Sequence, residues 1–158
     1  MTAKRPAKRP YLEALEAAGR DPENCPIDPV VKSALSDDPQ EYSWALHLLR
    51  NMAEFKREEA AVFLIGLLMA CGDHWERRMA IVGMLHAVET DACVDLLLDE
   101  LRRVKGTNST RRYLQEVINV LSCLPSKLVR SKLQALAEAA SLTPWVRMKL
   151  QAALHSLD

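Results

Sequence analysis

Between Asp38 and the end of the chain, apolar residues return at fixed distances from a recurring helix-start signal. Asp38-Pro39 and Thr143-Pro144 each set a good N-cap residue before a proline at the first helical position. Asp73 and Thr110 are the best caps for two more helices of similar length. Counting each cap as zero, position +7 is Ala45, Ala80, Val117 and Leu150, and position +11 is Leu49, Met84, Leu121 and Leu154. Position +8 is Leu46, Ile81 and Ile118, failing only at Gln151. Such spacing lays one apolar stripe along each helix. The segments between them match one another too. From Arg57, Thr90 and Ser126, position +7 gives Leu64, Leu97 and Leu133, and +11 gives Leu68, Leu101 and Ala137. The two interleaved series advance by roughly 33–37 residues per step, the sequence mark of a stacked two-helix unit.

Composition agrees with helices. Leu and Ala dominate the apolar residues and aromatics make up only 5% of the 158 residues, whereas strands select β-branched and aromatic side chains. The length suffices for one domain with its own core. Collagen, a disulfide scaffold and disorder over most of the chain are excluded. Cys25, Cys71, Cys93 and Cys123 lie far apart and form no Cys-x-x-Cys pair. No apolar signal segment follows the basic start, so the expectation is a reducing, cytoplasmic setting. The longest uncharged run, 60–71, is too short to cross a bilayer and fits a core helix, so no membrane partner is expected. Residues 1–10 carry two K-R-P triplets and read as a flexible basic tail. A short helix is expected from Tyr11 to Ala18, stopped at Gly19. A proline-bearing linker at 20–30 and one short helix at 29–36 follow.

The segment T-P-W-V-R-M-K-L-Q-A-A-L, residues 143–154, resembles the second helix of a HEAT-type repeat. That helix typically starts Asp-Pro, carries Val-Arg in its first turn, and continues with small and leucine residues. Residues 73–85 (DHWERRMAIVGML) and 110–121 (TRRYLQEVINVL) are weaker copies. The spaced Trp, Gly, Tyr, Ala and Pro of a tetratricopeptide unit are not found. The resemblance covers about three quarters of the chain. It implies an all-α fold: an α-solenoid of about four antiparallel helix pairs, with residues 11–158 as a single HEAT-like domain. It names a scaffold and no activity.

Candidate chemistry is sparse. Cys71 and His74 straddle the turn at Gly72 with no second ligand pair, and His47, His86 and His155 fall on separate helices, so neither metal nor cofactor is expected. No nucleophile elbow, phosphate loop or dinucleotide fingerprint occurs, and no enzymatic activity is expected. HEAT-like proteins that attach bilins show that the scaffold can support a cofactor, but nothing here marks a bilin site. Asp91, Asp95 and Asp99 line one face of a helix, which a cation or a basic partner could use; a solvated outer face is the plainer account.

Basic residues near the starts of the second-helix series are more informative. Arg77 and Arg78, Arg111 and Arg112, and Arg147 with Lys149 recur with the repeat, beside Trp75, Tyr113 and Trp145. The macrodipole disfavours arginine at a helix N-terminus, so helix propensity does not explain them. They either bond acidic groups of a neighbouring repeat or meet a partner. Charge is also unevenly placed. Residues 11–101 hold 7 basic against 18 acidic residues, while 102–158 hold 10 basic against 3 acidic. A neutral chain with such poles steers charged partners. The expected function is a non-catalytic protein-binding module: an adaptor, an inhibitor or immunity protein, a chaperone or a complex subunit. Its grip would be the nine residues just named, against an acidic protein surface. The alternative is nucleic-acid binding through the C-terminal basic edge, a use for which HEAT-like alkylpurine DNA glycosylases offer a scaffold precedent. The acidic body at 11–101 opposes it.

Overall fold

The structure, a computed structural model, describes residues 21–157. The basic tail and the helix expected from Tyr11 to Ala18 lie outside the described residues. Eight α-helices and one 3-10 turn occur among the described residues, with no strand. The helices are α1 (Ile27–Ala34), α2 (Pro39–Glu54), α3 (Glu58–Ala70) and α4 (Trp75–Met84), the last followed by the 3-10 turn Leu85–Ala87. Then come α5 (Asp91–Arg103), α6 (Arg111–Cys123), α7 (Ser126–Glu138) and α8 (Pro144–Ser156). The fold is all-α. No helix among the described residues is long and apolar enough to cross a membrane.

The chain divides into two compact units, and the boundary falls inside α3, after Phe63. In the first, α1 packs on α2. Asp38 caps α2 as expected, its carboxylate accepting from the backbone N–H of Gln40 and Glu41. Ala45, Leu46, Leu49 and Met52 form the buried stripe of α2. The helix closes in a Schellman motif: Lys56 N–H donates to Ala53 O and Arg57 N–H to Met52 O, with Lys56 at φ 61°. The Arg57 guanidinium then donates to Cys25 O at 2.6 Å and to Pro22 O at 3.2 Å, which fixes the proline-bearing linker.

In the second unit, α4 packs on α6 and α6 on α8, while α5 packs on α7. Helix α5 also neighbours α6, and α7 neighbours α8. The expected stripes are the core: Leu97, Leu101, Leu133 and Ala137 from α5 and α7, with Val117, Leu121 and Leu150 from α6 and α8. Thr90 caps α5 by accepting from Cys93 N–H at 3.2 Å. Across the α5–α7 contact, Lys132 Nζ donates to Asp91 at 2.9 Å and to Asp95 at 2.8 Å, while within α5 Arg102 pairs with Asp99. The aspartate strip is therefore met by cations of the fold itself.

One cap differs from expectation. The N-cap of α4 is His74, one residue after Asp73. Counted from His74, positions +7, +8 and +11 are Ile81, Val82 and Leu85, each at most 1% exposed. These match Val117, Ile118 and Leu121 of α6 better than Ala80 and Met84 do. Packing of three large apolar side chains outweighs the intrinsic preference of aspartate for a cap. The shift matters for function, because it turns Ala80 and Met84 out of the core stripe.

Candidate functional site

The corrected register separates the aromatic and basic residues into two groups. Arg78 and Arg147 share position +4, counted from His74 and Thr143. Both reach back to the end of the preceding helix. Arg78 Nη1 donates to Gly72 O at 2.8 Å and to Leu68 O at 3.2 Å, and Arg147 Nη2 donates to Ala139 O at 3.0 Å. Cationic side chains there satisfy terminal carbonyls and complement the negative end of the dipole.

Arg78 does more. It is 4% exposed, and its Nη2 forms an ion pair with the Glu100 carboxylate of α5, itself 6% exposed. Tyr113 Oη donates to the same carboxylate at 2.5 Å, and Arg103 adds bonds of 3.0 and 3.1 Å from the surface. The Tyr113 ring, 1% exposed, lies 5.4 Å from Trp75 in a tilted pair, with the Arg78 guanidinium 5.4 Å from Tyr113 and 5.8 Å from Trp75. Burial would raise the Glu100 pKa, but bonds from Tyr113, Arg78 and Arg103 outweigh it and hold the carboxyl below its ordinary value. Burial, with the bond to Glu100, pushes the Tyr113 phenol up. Trp75 and Tyr113 also line a smaller pocket of about 270 Å³ with Glu76, Met79, Ser109 and Arg112. Arg78 and Tyr113, expected at a binding surface, are buried, and Trp75 is half-buried against them. Arg147 is held to α7 in the same structural manner, and Arg77 sits half-buried at +3.

Arg111, Arg112, Trp145 and Lys149 behave differently. They border an open groove of about 800 Å³ on the face shared by α4, α6 and α8. Helix α4 contributes Met79, Ala80, Gly83 and Met84 to its apolar wall. Helix α6 contributes Arg111 and Arg112 from its first turn, then Gln115 and Glu116 one turn later, and α8 contributes Trp145. The Arg111 guanidinium and the Lys149 ammonium each stand 5.9 Å from the Trp145 ring centroid, within cation–π range. Arg111 and Arg112 are exposed. None of Arg111, Arg112 and Lys149 forms an ion pair among the described residues. Glu116 is partly engaged, accepting from Asn119 Nδ2 at 3.3 Å.

The sequence reading missed the methionine wall. With His74 as the cap of α4, positions +2, +5 and +6 read Glu76, Met79 and Ala80 in α4, Arg112, Gln115 and Glu116 in α6, and Trp145, Met148 and Lys149 in α8. All of these but Met148 and Lys149 line the groove; Met148 is an exposed large apolar side chain of α8. No protein-family model matches the sequence, and no curated protein does.

Proposed function

We propose that the chain is a HEAT-like α-solenoid acting as a cytoplasmic, non-catalytic protein-binding module, and that the groove across α4, α6 and α8 is its binding site. The observation that carries this reading is a group of cations, Arg111, Arg112 and Lys149, that form no ion pair among the described residues and gather about Trp145 beside a methionine wall. Exposed apolar area rimmed by charge is the usual character of a protein interaction site, and Trp and Arg dominate interface energetics. The two rows of neighbouring helices and the arginine shared at +4 by α4 and α8 support the repeat reading. Four free thiols favour a reducing compartment.

The test is affinity capture from the native host, comparing wild-type protein with Trp145→Ala and Arg112→Gln. A stoichiometric protein partner retained by wild type and lost by both variants, with helical circular dichroism unchanged, is the expected result. Capture that ignores both substitutions would place the interface elsewhere and refute the assignment.

A further inference from the structure

Resting on that reading, we infer that the groove takes a short linear peptide segment in which a bulky apolar side chain stands next to carboxylates. Size comes first. The groove is lined by ten residues, whereas a standard interface between folded proteins uses roughly 20–30 residues a side. A volume of about 800 Å³, open along its length, suits a few consecutive side chains rather than the face of a domain.

Charge then sets the chemistry of the occupant and its direction. Arg111 and Arg112 occupy the first turn of α6, and Lys149 stands with Arg111 at the Trp145 ring. The positive ends of the α6 and α8 dipoles lie at the same end of the groove. Helices α1 to α5 each carry an acidic residue in the first turn, and α6, α7 and α8 carry none. At this end Arg111, Arg112 and Lys149 stand against the single carboxylate of Glu76 from the first turn of α4, a net positive balance that favours carboxylates over basic peptides. One turn further along α6 the character changes: Glu116 faces Gly83, and Met79 and Met84 form the wall. An apolar side chain seated there lies beyond the carboxylates bound at Arg111 and Arg112. Methionine walls repack around side chains of different shape, so charge spacing dominates selection over the identity of the apolar residue.

The experiment is fluorescence anisotropy with a fluorescein-labelled peptide of Asp, Glu, Leu and Phe. Three control probes are used: the same peptide with Lys for the acids, the same with Ala for Leu and Phe, and single-stranded oligo-dT. Two groove variants carry the structural test. Gly83→Leu places a side chain where a Cβ meets only the Glu116 carboxylate oxygen, at 3.3 Å, and so fills the groove from a helical position that tolerates leucine. Arg112→Gln removes one exposed charge and no packing. Far-UV circular dichroism verifies both. The acidic, apolar peptide should bind wild type, and each of the two peptide changes and each variant should weaken it about tenfold or more. No binding of that peptide by wild type overturns the inference, as does equal binding of oligo-dT or binding untouched by Gly83→Leu. If the peptide fails while capture of a folded partner still depends on Trp145, the linear-segment inference falls and the protein-binding reading stands. If neither depends on the groove, both fall.

Discussion

Replacing Glu100 by leucine leaves the Arg78 guanidinium in the interior with its charge uncompensated. The magnitude follows from three groups that share one carboxylate. Arg78 is 4% exposed and keeps only uncharged acceptors, the Leu68 and Gly72 carbonyls and the Cys71 sulfur, once the carboxylate is gone. The buried Tyr113 hydroxyl loses its acceptor, which by itself costs about 1–3 kcal/mol. Breaking a buried pair from one side typically costs about 3–5 kcal/mol, a large part of the roughly 5–15 kcal/mol that holds a domain folded. Arg103 reaches the same carboxylate from the surface, 54% exposed, so Arg103→Ala should cost about 1 kcal/mol or less. Urea unfolding followed by circular dichroism measures each value. The double variant Arg78→Met, Glu100→Leu should be more stable than Glu100→Leu alone, because no unpaired charge is then buried. A loss below about 1 kcal/mol for Glu100→Leu, or simple additivity in the double variant, would show that water reaches the pair and that Arg78 is not a structural residue.

Acid should expose the same carboxylate. Its folded pKa lies below the ordinary 4.5, so its stabilisation is complete above that value and is lost as the pH falls through the lower folded one. Melting temperature should decline more steeply in this acid range for wild type than for Glu100→Gln; parallel declines would refute the assignment. Burial pushes the Cys93 thiol up to about 12, whereas Cys123 is exposed, so an aromatic disulfide reagent should titrate Cys123 quickly and Cys93 only on unfolding. Thr90→Ala should cost about 1 kcal/mol through loss of the Cys93 N–H bond, and Thr143→Ala less, since that side chain makes no cap bond; equal losses in thermal melts would contradict the assigned caps.

The apolar ladder was legible because it depends on spacing alone. Leu64, Leu97 and Leu133 were aligned by offset, and all three are fully buried. The α4 cap was not, because aspartate has the stronger local preference and the decision lay with Ile81, Val82 and Leu85, which pack far from the cap. Counted from Asp73, Trp75 falls at the same position, +2, as Trp145 counted from Thr143, although Trp75 rests on Tyr113 and Trp145 borders the groove. The one-residue error also placed Ala80 and Met84 in the core stripe, since an apolar side chain reads alike on either face of a helix. Tyr113 could not be assigned from its own segment. Its burial follows from Glu100, thirteen positions earlier and on another helix, and a buried network shows no local pattern.

Arg112 separates stability from recognition most cleanly. It stands at the second position of α6, where a positive charge opposes the helix dipole by about 0.3–1 kcal/mol at low ionic strength and less in physiological salt. Arg111 recovers some of that through its position over Trp145. Arg112 has no such ring and no ion-pair partner among the described residues, and Glu116 one turn on is in the weaker orientation for an i,i+4 pair. No ion pair among the described residues offsets its cost, whereas a carboxylate in the groove would. Arg112→Gln has nearly the same helix propensity, so the free protein should melt at an equal or slightly higher temperature, with any gain shrinking as salt is added. Binding of the acidic peptide should fall about tenfold in the same variant. A destabilisation above about 1 kcal/mol would show that the arginine serves the fold after all, and the case for a cationic end to the groove would then rest on Arg111 and Lys149 alone.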